Sequence, residues 1–420
     1  MTKPKIIVGL DIGSTMVRTV IAQLISEPQG VRIIGVGQAP AGGMRRGVVV
    51  DVDDAARAIS ESVEAAEQMA GVMVDRALVS ISGSGVTAQD SKGVVAVGKA
   101  DGEVTEDDIN RVINAAQAIS VPRNKEIIHI IPKTYRLDDQ ENIKDPLGMN
   151  GVRLEVDAMV IEAPVNHMRN LTKALAQAEV NIEDLILESL ATATAVLNKK
   201  QKELGVVTVN IGGSTTSLSV FEEGDLIHTA TIPVGAGHIT NDIAIGLRTS
   251  VDIAEKVKLR YGTALPIAID PHAEVDLSTI DDTEDGVVLH KHIIEIISAR
   301  LEELFGLVYK ELSTIGKAGL LPSGVVVTGG GAAMPHVVEC AKKYLKLPAT
   351  IGSSATELSG ILDKVDDPSF TTVLGLIFWG VEHRGVQTDQ LLSGRIFRKL
   401  PGTISETVAK TRQWFERFLP

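Results

Sequence analysis

Residues 5–24 read KIIVGLDIGSTMVRTVIAQL, two runs rich in β-branched residues on either side of a tight Asp11-Ile12-Gly13-Ser14-Thr15 turn. That pattern predicts a β-hairpin. Residues 205–221, GVVTVNIGGSTTSLSVF, repeat the strand, glycine turn and strand, with Asn210 in the place of Asp11. The spacing of the copies far exceeds the ~20–50-residue period of a solenoid and predicts two homologous halves. A third glycine turn, Gly329-Gly330-Gly331, follows the buried-strand run VVVT at 325–328, and Pro335 fits the start of a helix after it. Helical periodicity follows each hairpin, over 53–70 and 240–261. Strands alternating with helices in both halves predict an α/β fold with helices packed on a sheet.

Between the halves, residues 86–162 hold short β-rich runs (127–132 and 152–161) around a helix expected at 107–118, which Thr105 and Asp108 would cap. This stretch reads as an inserted subdomain. Residues 383–402 lose periodicity around Gly385, Gly394, Pro401 and Gly402 and read as a linker.

A chain of 420 residues suits two to four domains of about 150 residues each. With 44% hydrophobic and 23% charged residues, wholesale disorder is excluded. Lys+Arg 41 against Asp+Glu 54 leaves −13, and aromatics are 3%. Neither a basic field nor a base-stacking platform is available, so nucleic acid is not an expected partner. The single cysteine, Cys340, cannot close an intrachain disulfide and fits a reducing cytoplasm. A buried structural thiol is the expected role for it. The apolar runs at 6–10 and 373–381 are too short for a signal-peptide core or a membrane span, so the chain is expected to stay cytoplasmic.

Phosphate is bound by backbone N–H groups that point inward without a Cβ in the way, which glycine turns between strands supply. Two related turns, one per half, can clamp a polyphosphate between them. The third lets a flat base and ribose approach the backbone. Three ordinary tight turns are the bland alternative. No GxxxxGK[ST] or GxGxxG occurs at these turns, which disfavours Walker and Rossmann sites. Asp11 is the natural anchor for hydrated Mg²⁺, which binds proteins through one or two carboxylates. A hydrolysing site would carry a second carboxylate where Asn210 stands. Glu188, in LESLATATAV, is a candidate for orienting an attacking water; the alternative is a surface acid beside a helix. The nine histidines show no zinc spacing, and His290 and His292 read as surface residues. SGSG at 82–85 has no following helix and is no nucleophile elbow.

In this order, VGLDIGST, VTVNIGGST and VVVTGGGAAM resemble the two phosphate motifs and the adenosine motif of the actin-like ATPase superfamily. Within it the chain is similar to the FtsA family of bacterial cell-division proteins. GGMRRGVVVDVD at 42–53, IIPKTYRLDDQENIKDPLGMNGVRLEV at 130–156 and the last helix carry that resemblance. It implies an actin-like two-lobed fold with a duplicated core. The parts would be a first core subdomain at 1–83 completed by about 360–382 and a family-specific insert at 84–162. A second core subdomain at 163–228, completed by about 304–359, would carry a further subdomain at 229–303. The resemblance further implies ATP and Mg²⁺ held by Asp11, Gly13, Ser14, Thr15, Asn210, Gly212, Gly213, Ser214, Thr215, Gly329, Gly330, Gly331 and Ala332. Glu255 and Lys258, in AEKVKLRYG, would approach ribose and adenine, although on sequence alone their helix face reads as solvated. Arg300 would contact the FtsZ C-terminal peptide, and the 84–162 insert would meet other divisome proteins. Self-association into filaments is implied as well. The family's second phosphate motif usually begins with Asp, and Gly-Gly-Ser here replaces its Gly-Gly-Gly. Weak or absent ATPase activity is therefore expected. A PilM-type scaffold of pilus assembly and a small-molecule kinase of the superfamily are the alternatives.

Residues 403–420 predict an amphipathic helix that lies in a membrane surface. Thr403 and Glu406 fit a capping box. Ile404, Val408, Thr411, Phe415 and Phe418 recur at helical steps, with Trp414 and Leu419 beside that stripe. Arg395, Arg398, Lys399, Lys410, Arg412 and Arg417 outnumber the nearby acids, which favours an anionic leaflet. A helix docked on its own protein is the competing expectation. The resulting placement is the cytoplasmic face of the cell membrane at the division site.

Overall fold

The hairpins form as their composition requires. In the computed structural model, which describes residues 5–26, 29–118, 122–266, 270, 272–282, 284, 286–353 and 358–383, β1 (Ile6–Ile12) and β2 (Met16–Ser26) pair antiparallel from Ile6↔Gln23 to Ile12↔Val17. Gly13 N–H closes the turn on Met16 O at 3.1 Å. The chain continues through β3 (Gln29–Pro40), the small ladder β4 (Met44–Arg45) and β5 (Val48–Val49), α1 (Val52–Ala70) and β6 (Arg76–Ile81). The insert follows: β7 (Thr87–Ala96), α2 (Glu106–Ala116), β8 (Lys125–Leu137), β9 (Gln140–Ile143) and β10 (Arg153–Pro164). Next come α3 (Val165–Gln177), β11 (Asn181–Leu187), α4 (Glu188–Val196) and α5 (Lys199–Leu204). The second hairpin, β12 (Val206–Ile211) and β13 (Thr216–Glu222), leads to β14 (Asp225–Ile232), α6 (Ala236–Leu247), α7 (Val251–Tyr261), β15 (Glu274–Asp276) and β16 (Val287–Leu289). The last elements are α8 (His290–Thr314), β17 (Val325–Thr328), α9 (Val337–Leu345), β18 (Ala349–Ile351), β19 (Leu358–Gly360) and α10 (Thr371–His383).

Duplication shows in the strand order. One sheet runs β11-β6-β1-β2-β3-β19 and the other β14-β13-β12-β17-β18. Read from the parallel side, both place two parallel strands, then the hairpin, then a third strand. Central strands are buried on both faces: every residue of β12 and β17 is buried, as the mostly apolar runs VVTVNI and VVVT anticipate. Helix α1 lies so close over β3 that a Cβ on Gly37 would collide with Ser62 O. Buried Thr19 and Ser62 hydroxyls bond at 2.8 Å across that contact.

Among the described residues, 85–169 together with 225–227 and 380–383 form a second compact unit. Its antiparallel sheet runs β7-β10-β8-β9, with α2 on one face over Ile130, Leu154, Val156 and Val160. The expected capping box is present: Asp108 N–H donates to Thr105 Oγ1, and Asp108 accepts from Thr105 N at 2.8 Å. Burial acts to raise the Asp108 pKa, yet hydrogen bonds from Thr105, Gly98 and Arg111 outweigh it and hold it at about 2. The helix itself runs two residues shorter at its end than its periodicity suggested, stopping at Ala116.

Two expectations need correction. The periodicity over 240–261 belongs to two helices, because Arg248 at φ 57° ends α6 and Ser250 caps α7. Pro335 does not begin a helix: α9 starts at Val337, after His336 at φ 60°. The linker from 383, apart from His383 at the end of α10, lies outside the described residues. So does the helix at 403–420 with Ile404, Val408, Trp414, Phe415, Phe418 and Leu419. Among the described residues no helix is long and apolar enough to cross a membrane.

Candidate functional site

The three glycine turns meet at one place. Gly213 approaches Thr15 so closely that a Cβ on it would collide with Thr15 Oγ1, so the first and second turns abut. Gly329, at φ 83°, leaves no room for a side chain against Asn210 Oδ1 and Ile211 O, which sets the third turn on the end of β12. Its N–H donates to Pro368 O at 3.1 Å. The second turn is in turn tied to α6: Gly212 O accepts from Ala236 N–H at 2.8 Å and Gly213 O from Gly237 N–H at 2.7 Å. Ser14 Oγ accepts from Gly47 N–H at 2.8 Å, which links the GGMRRG segment to the first turn.

Beneath the turns lies a cluster of buried polar side chains. Asp11 is buried and accepts from Ser80 Oγ at 2.6 Å. Its carboxyl is raised by burial, against which Ser80 and the Arg18 charge act. Glu188, the first residue of α4, accepts from Asn210 Nδ2 and, at 3.1 Å, from Ser217 Oγ. Asn210 Nδ2 also lies 3.3 Å from Thr372 Oγ1. Burial, followed by the Asp11 charge, pushes the Glu188 carboxyl up to about 8. Glu188 is therefore no surface acid.

A pH dependence follows, with its sign. Between the unfolded value near 4.5 and the folded value near 8, the native protein holds a proton on Glu188 that the unfolded chain has released. Stability then falls as pH rises through that window. We expect a loss of about 2–4 kcal/mol from pH 5 to 8.5, by denaturant titration, allowing for coupling to Asp11. Glu188→Gln should flatten most of the slope, and an equal slope in that variant would refute the assignment.

Lys258 does not lie on a solvated face, whereas its partner Glu255 keeps a side chain 42% exposed. Lys258 is 9% exposed and donates to Glu255 Oε2 at 2.6 Å and Thr240 Oγ1 at 2.9 Å, which itself donates to Glu255 at 2.5 Å. The end of α7 reaches the third turn: Ala264 N–H bonds Pro335 O at 2.8 Å, and a Cβ on Gly262 would lie 3.2 Å from Met334 Sδ. Ala332 is buried there.

Arg300 lies apart from this cluster. It donates from Nε to Asp242 Oδ2 at 2.5 Å and from a terminal nitrogen to Oδ1 at 2.8 Å, and also bonds Glu303. With Ile245, Gly246 and Ile296 these residues line a cleft of about 380 Å³. His290 Nε2 sits 2.7 Å from Tyr261 O, within a helix-end contact. Cys340 is fully buried, and burial raises its thiol to about 11, which makes it inert.

Sequence reading missed Ser80, Ser217, Thr372 and Arg18. Arg18 was recoverable, because closing the hairpin at Ile12↔Val17 puts Arg18 opposite Asp11. Ser80 comes from a parallel neighbour and Thr372 from a helix far along the chain, so no local signal marks them.

The residues fit a nucleotide. Ser214 Oγ is buried with no hydrogen-bond partner among the described residues, beside Gly213, whose missing Cβ lets the first and second turns abut. Among the described residues no three His, Cys, Asp or Glu side chains cluster as a metal cage. A cation here would be held by Asp11 together with ligand oxygens and water.

Comparison with known proteins agrees with this architecture. The family model described as cell division protein FtsA matches residues 207–375, and one described as the SHS2 domain inserted in FtsA matches 83–162. The FtsA of Pseudomonas aeruginosa is 36% identical over 390 residues, 93% of each chain. That of Bacillus subtilis is 35% identical over 92% of this chain and 86% of its own. Among solved structures, a PilM–PilN type IV pilus biogenesis complex matches at a TM-score of 0.64 and 17% identity, covering 89% of this chain and 98% of that one. MreB5 of Spiroplasma citri bound to ADP matches at 0.54 and 13% identity, covering 90% and 99%. At such identities these likenesses show the actin-like fold alone.

Proposed function

Because the chain belongs to the FtsA family of cell-division proteins, we propose that it binds Mg·ATP and, as a polymer on the cytoplasmic face of the cell membrane at the division site, anchors FtsZ filaments there. The observation that carries the nucleotide reading is the abutment of Gly213 on Thr15 with Ser214 Oγ left unpaired beside it. Residues of the first and second turns hold the phosphates through backbone N–H groups and the Ser14, Thr15, Ser214 and Thr215 hydroxyls. Glu255 and Lys258 serve the ribose and base, and the third turn carries the adenosine. Mg²⁺ bound with the nucleotide supplies compensating positive charge near Asp11.

Hydrolysis is slow in this reading. Glu188 spends its carboxyl on Asn210 and Ser217 and holds a proton near neutral pH. A protonated acid cannot draw a proton from water. Phosphate release should stay near background, since a group lost from the transition-state machinery of such a site costs about 2.7–4 kcal/mol. Rapid release by the unaltered protein would overturn this.

The FtsZ C-terminal peptide is assigned to the cleft at Arg300, other divisome proteins to the 84–162 insert, and the membrane contact to the helix at 403–420. One shallow helix binds weakly, so stable attachment requires several copies in a polymer. Co-sedimentation of the full chain with anionic liposomes and FtsZ tests the whole. FtsZ should pellet only when both protein and liposomes are present, and Phe415→Glu or Trp414→Glu should abolish it while ATP binding persists. Retention by those variants would sink the anchoring role.

A further inference from the structure

The opening N–H groups of a helix have no partner within it. In α6 the second glycine turn meets that need. Ala236 N–H donates to Gly212 O at 2.8 Å and Gly237 N–H to Gly213 O at 2.7 Å, while His238 N–H donates to Gly235 O at 3.0 Å. A peptide unit is planar and trans, so its C=O and N–H point in opposite directions. With the carbonyls of Gly212 and Gly213 drawn to α6, the N–H groups of Gly213 and Ser214 are turned away from it. Neither N–H has a hydrogen-bond partner among the described residues. Ser214 Oγ, beside them, is buried and likewise unpartnered. Two aligned N–H groups and a hydroxyl thus stand ready for an anion on the turn that abuts Thr15.

One side chain fixes where that helix begins. Gly235, the residue before α6, is extended and lies flat on the turn: a Cβ there would fall 2.5 Å from Gly212 O and 2.8 Å from Gly213 O. Without a side chain it cannot make the bond by which Ser, Thr, Asp or Asn caps a helix. His238, at the third position of the helix, supplies the reciprocal bond where Glu or Gln is usual: Gly235 N–H donates to His238 Nδ1 at 3.1 Å. The same nitrogen lies 3.3 Å from Gly235 O, but that oxygen already accepts from His238 N–H. A ring nitrogen that faces an N–H presents its lone pair, so the imidazole carries its proton on Nε2.

We propose that His238 is a positioning residue for the phosphates of a bound nucleotide. By holding Gly235 it fixes the start of α6 against the second turn, and so aims the N–H groups of Gly213 and Ser214 at the ligand. This rests on the nucleotide reading above. His238 acts through backbone alone and touches neither ribose nor base in that reading, so its acceptor matters for the phosphates and not for the nucleoside.

The test is displacement of a fluorescent ATP analogue by ATP and by adenosine from the full chain and from His238→Leu and His238→Asn. Asn places an amide oxygen as many bonds from the backbone as Nδ1, whereas Leu offers no acceptor. His238→Leu should weaken ATP by about tenfold or more, the worth of a hydrogen bond to a charged group. Adenosine should change by less than about threefold in that variant, and His238→Asn should hold ATP within about threefold of the unaltered protein, inside the spread of a retained neutral hydrogen bond. A smaller loss of ATP in His238→Leu, an equal loss for adenosine, or no recovery in His238→Asn would show that His238 only packs against the turn, and would overturn the proposal. If His238→Leu does not fold, His238→Phe keeps a planar ring without the acceptor and is read by the same ratios. Failure of the unaltered protein to bind ATP would instead remove the nucleotide reading, and the role of His238 with it.

Discussion

Gly213→Val should reduce ATP affinity by about 100-fold or more, or ~2.7 kcal/mol, while the melting temperature changes little. The reason is local and steric. A Cβ on Gly213 already collides with Thr15 Oγ1, and valine adds two methyl groups between the abutting turns. Thr15 is short and branched, so it cannot swing aside as a lysine would. The turns must separate, and the N–H groups that face the ligand lose their common focus. Both turns lie at the ends of hairpins whose ladders stay intact, so the fold should persist. Isothermal titration with Mg·ATP gives the affinity and a thermal melt gives the control. Unchanged affinity would show that the two turns do not act on one ligand.

The largest effect on stability is expected at Gly375. Alanine is normally worth about 1 kcal/mol over glycine inside a helix. In α10 the sign should reverse, because a Cβ on Gly375 would collide with the backbone carbonyl of Ala191 in α4. Backbone cannot rotate away, so the two helices must move apart. That disturbs the Thr192–Thr372 hydroxyl bond of 3.0 Å and the contact of Val373 O with Gly9. Overpacking of this kind costs about 1–3 kcal/mol even where side chains yield, and Gly375→Ala should lie at the upper end or beyond. Gly306 in α8 is the control: nothing lies within 4 Å of its missing Cβ. Gly306→Ala should be stabilising by about 0.5–1 kcal/mol. Denaturant midpoints of both variants decide the matter, and a neutral Gly375→Ala would refute backbone-to-backbone contact.

The hairpins were legible in the sequence because glycine turns and β-branched strands are local signals. The duplicated strand order followed from them. The break between α6 and α7 was not legible, since Arg248 takes a left-handed conformation usually advertised by glycine. Nor was the state of Glu188. A carboxylate at a strand end reads as solvated, and only the packing of α4 against β12 and β13 draws it partly inward and raises its pKa. Lys258 shows the same limit: its spacing fits an amphipathic face, while Thr240 and Glu255 draw it inward. Turns and strands announce themselves, whereas the charge state of a site is set by neighbours distant in the chain.

Helix α6 begins on the carbonyls of Gly212 and Gly213 and carries Asp242, the partner of Arg300, midway along its length. At 1.5 Å per residue, Asp242 stands only about 9 Å from the anchored end. A rod this short and stiff behaves as a lever with its fulcrum in the second glycine turn. A tilt of α6 at that end would move Asp242, and with it the partner that Arg300 holds. By linkage the traffic runs both ways: if nucleotide strengthens peptide capture at the cleft by some factor, the captured peptide strengthens nucleotide retention by that same factor. Under the proposed function, filament attachment would then lengthen the dwell of the nucleotide, making occupancy of the site a running report of mechanical engagement.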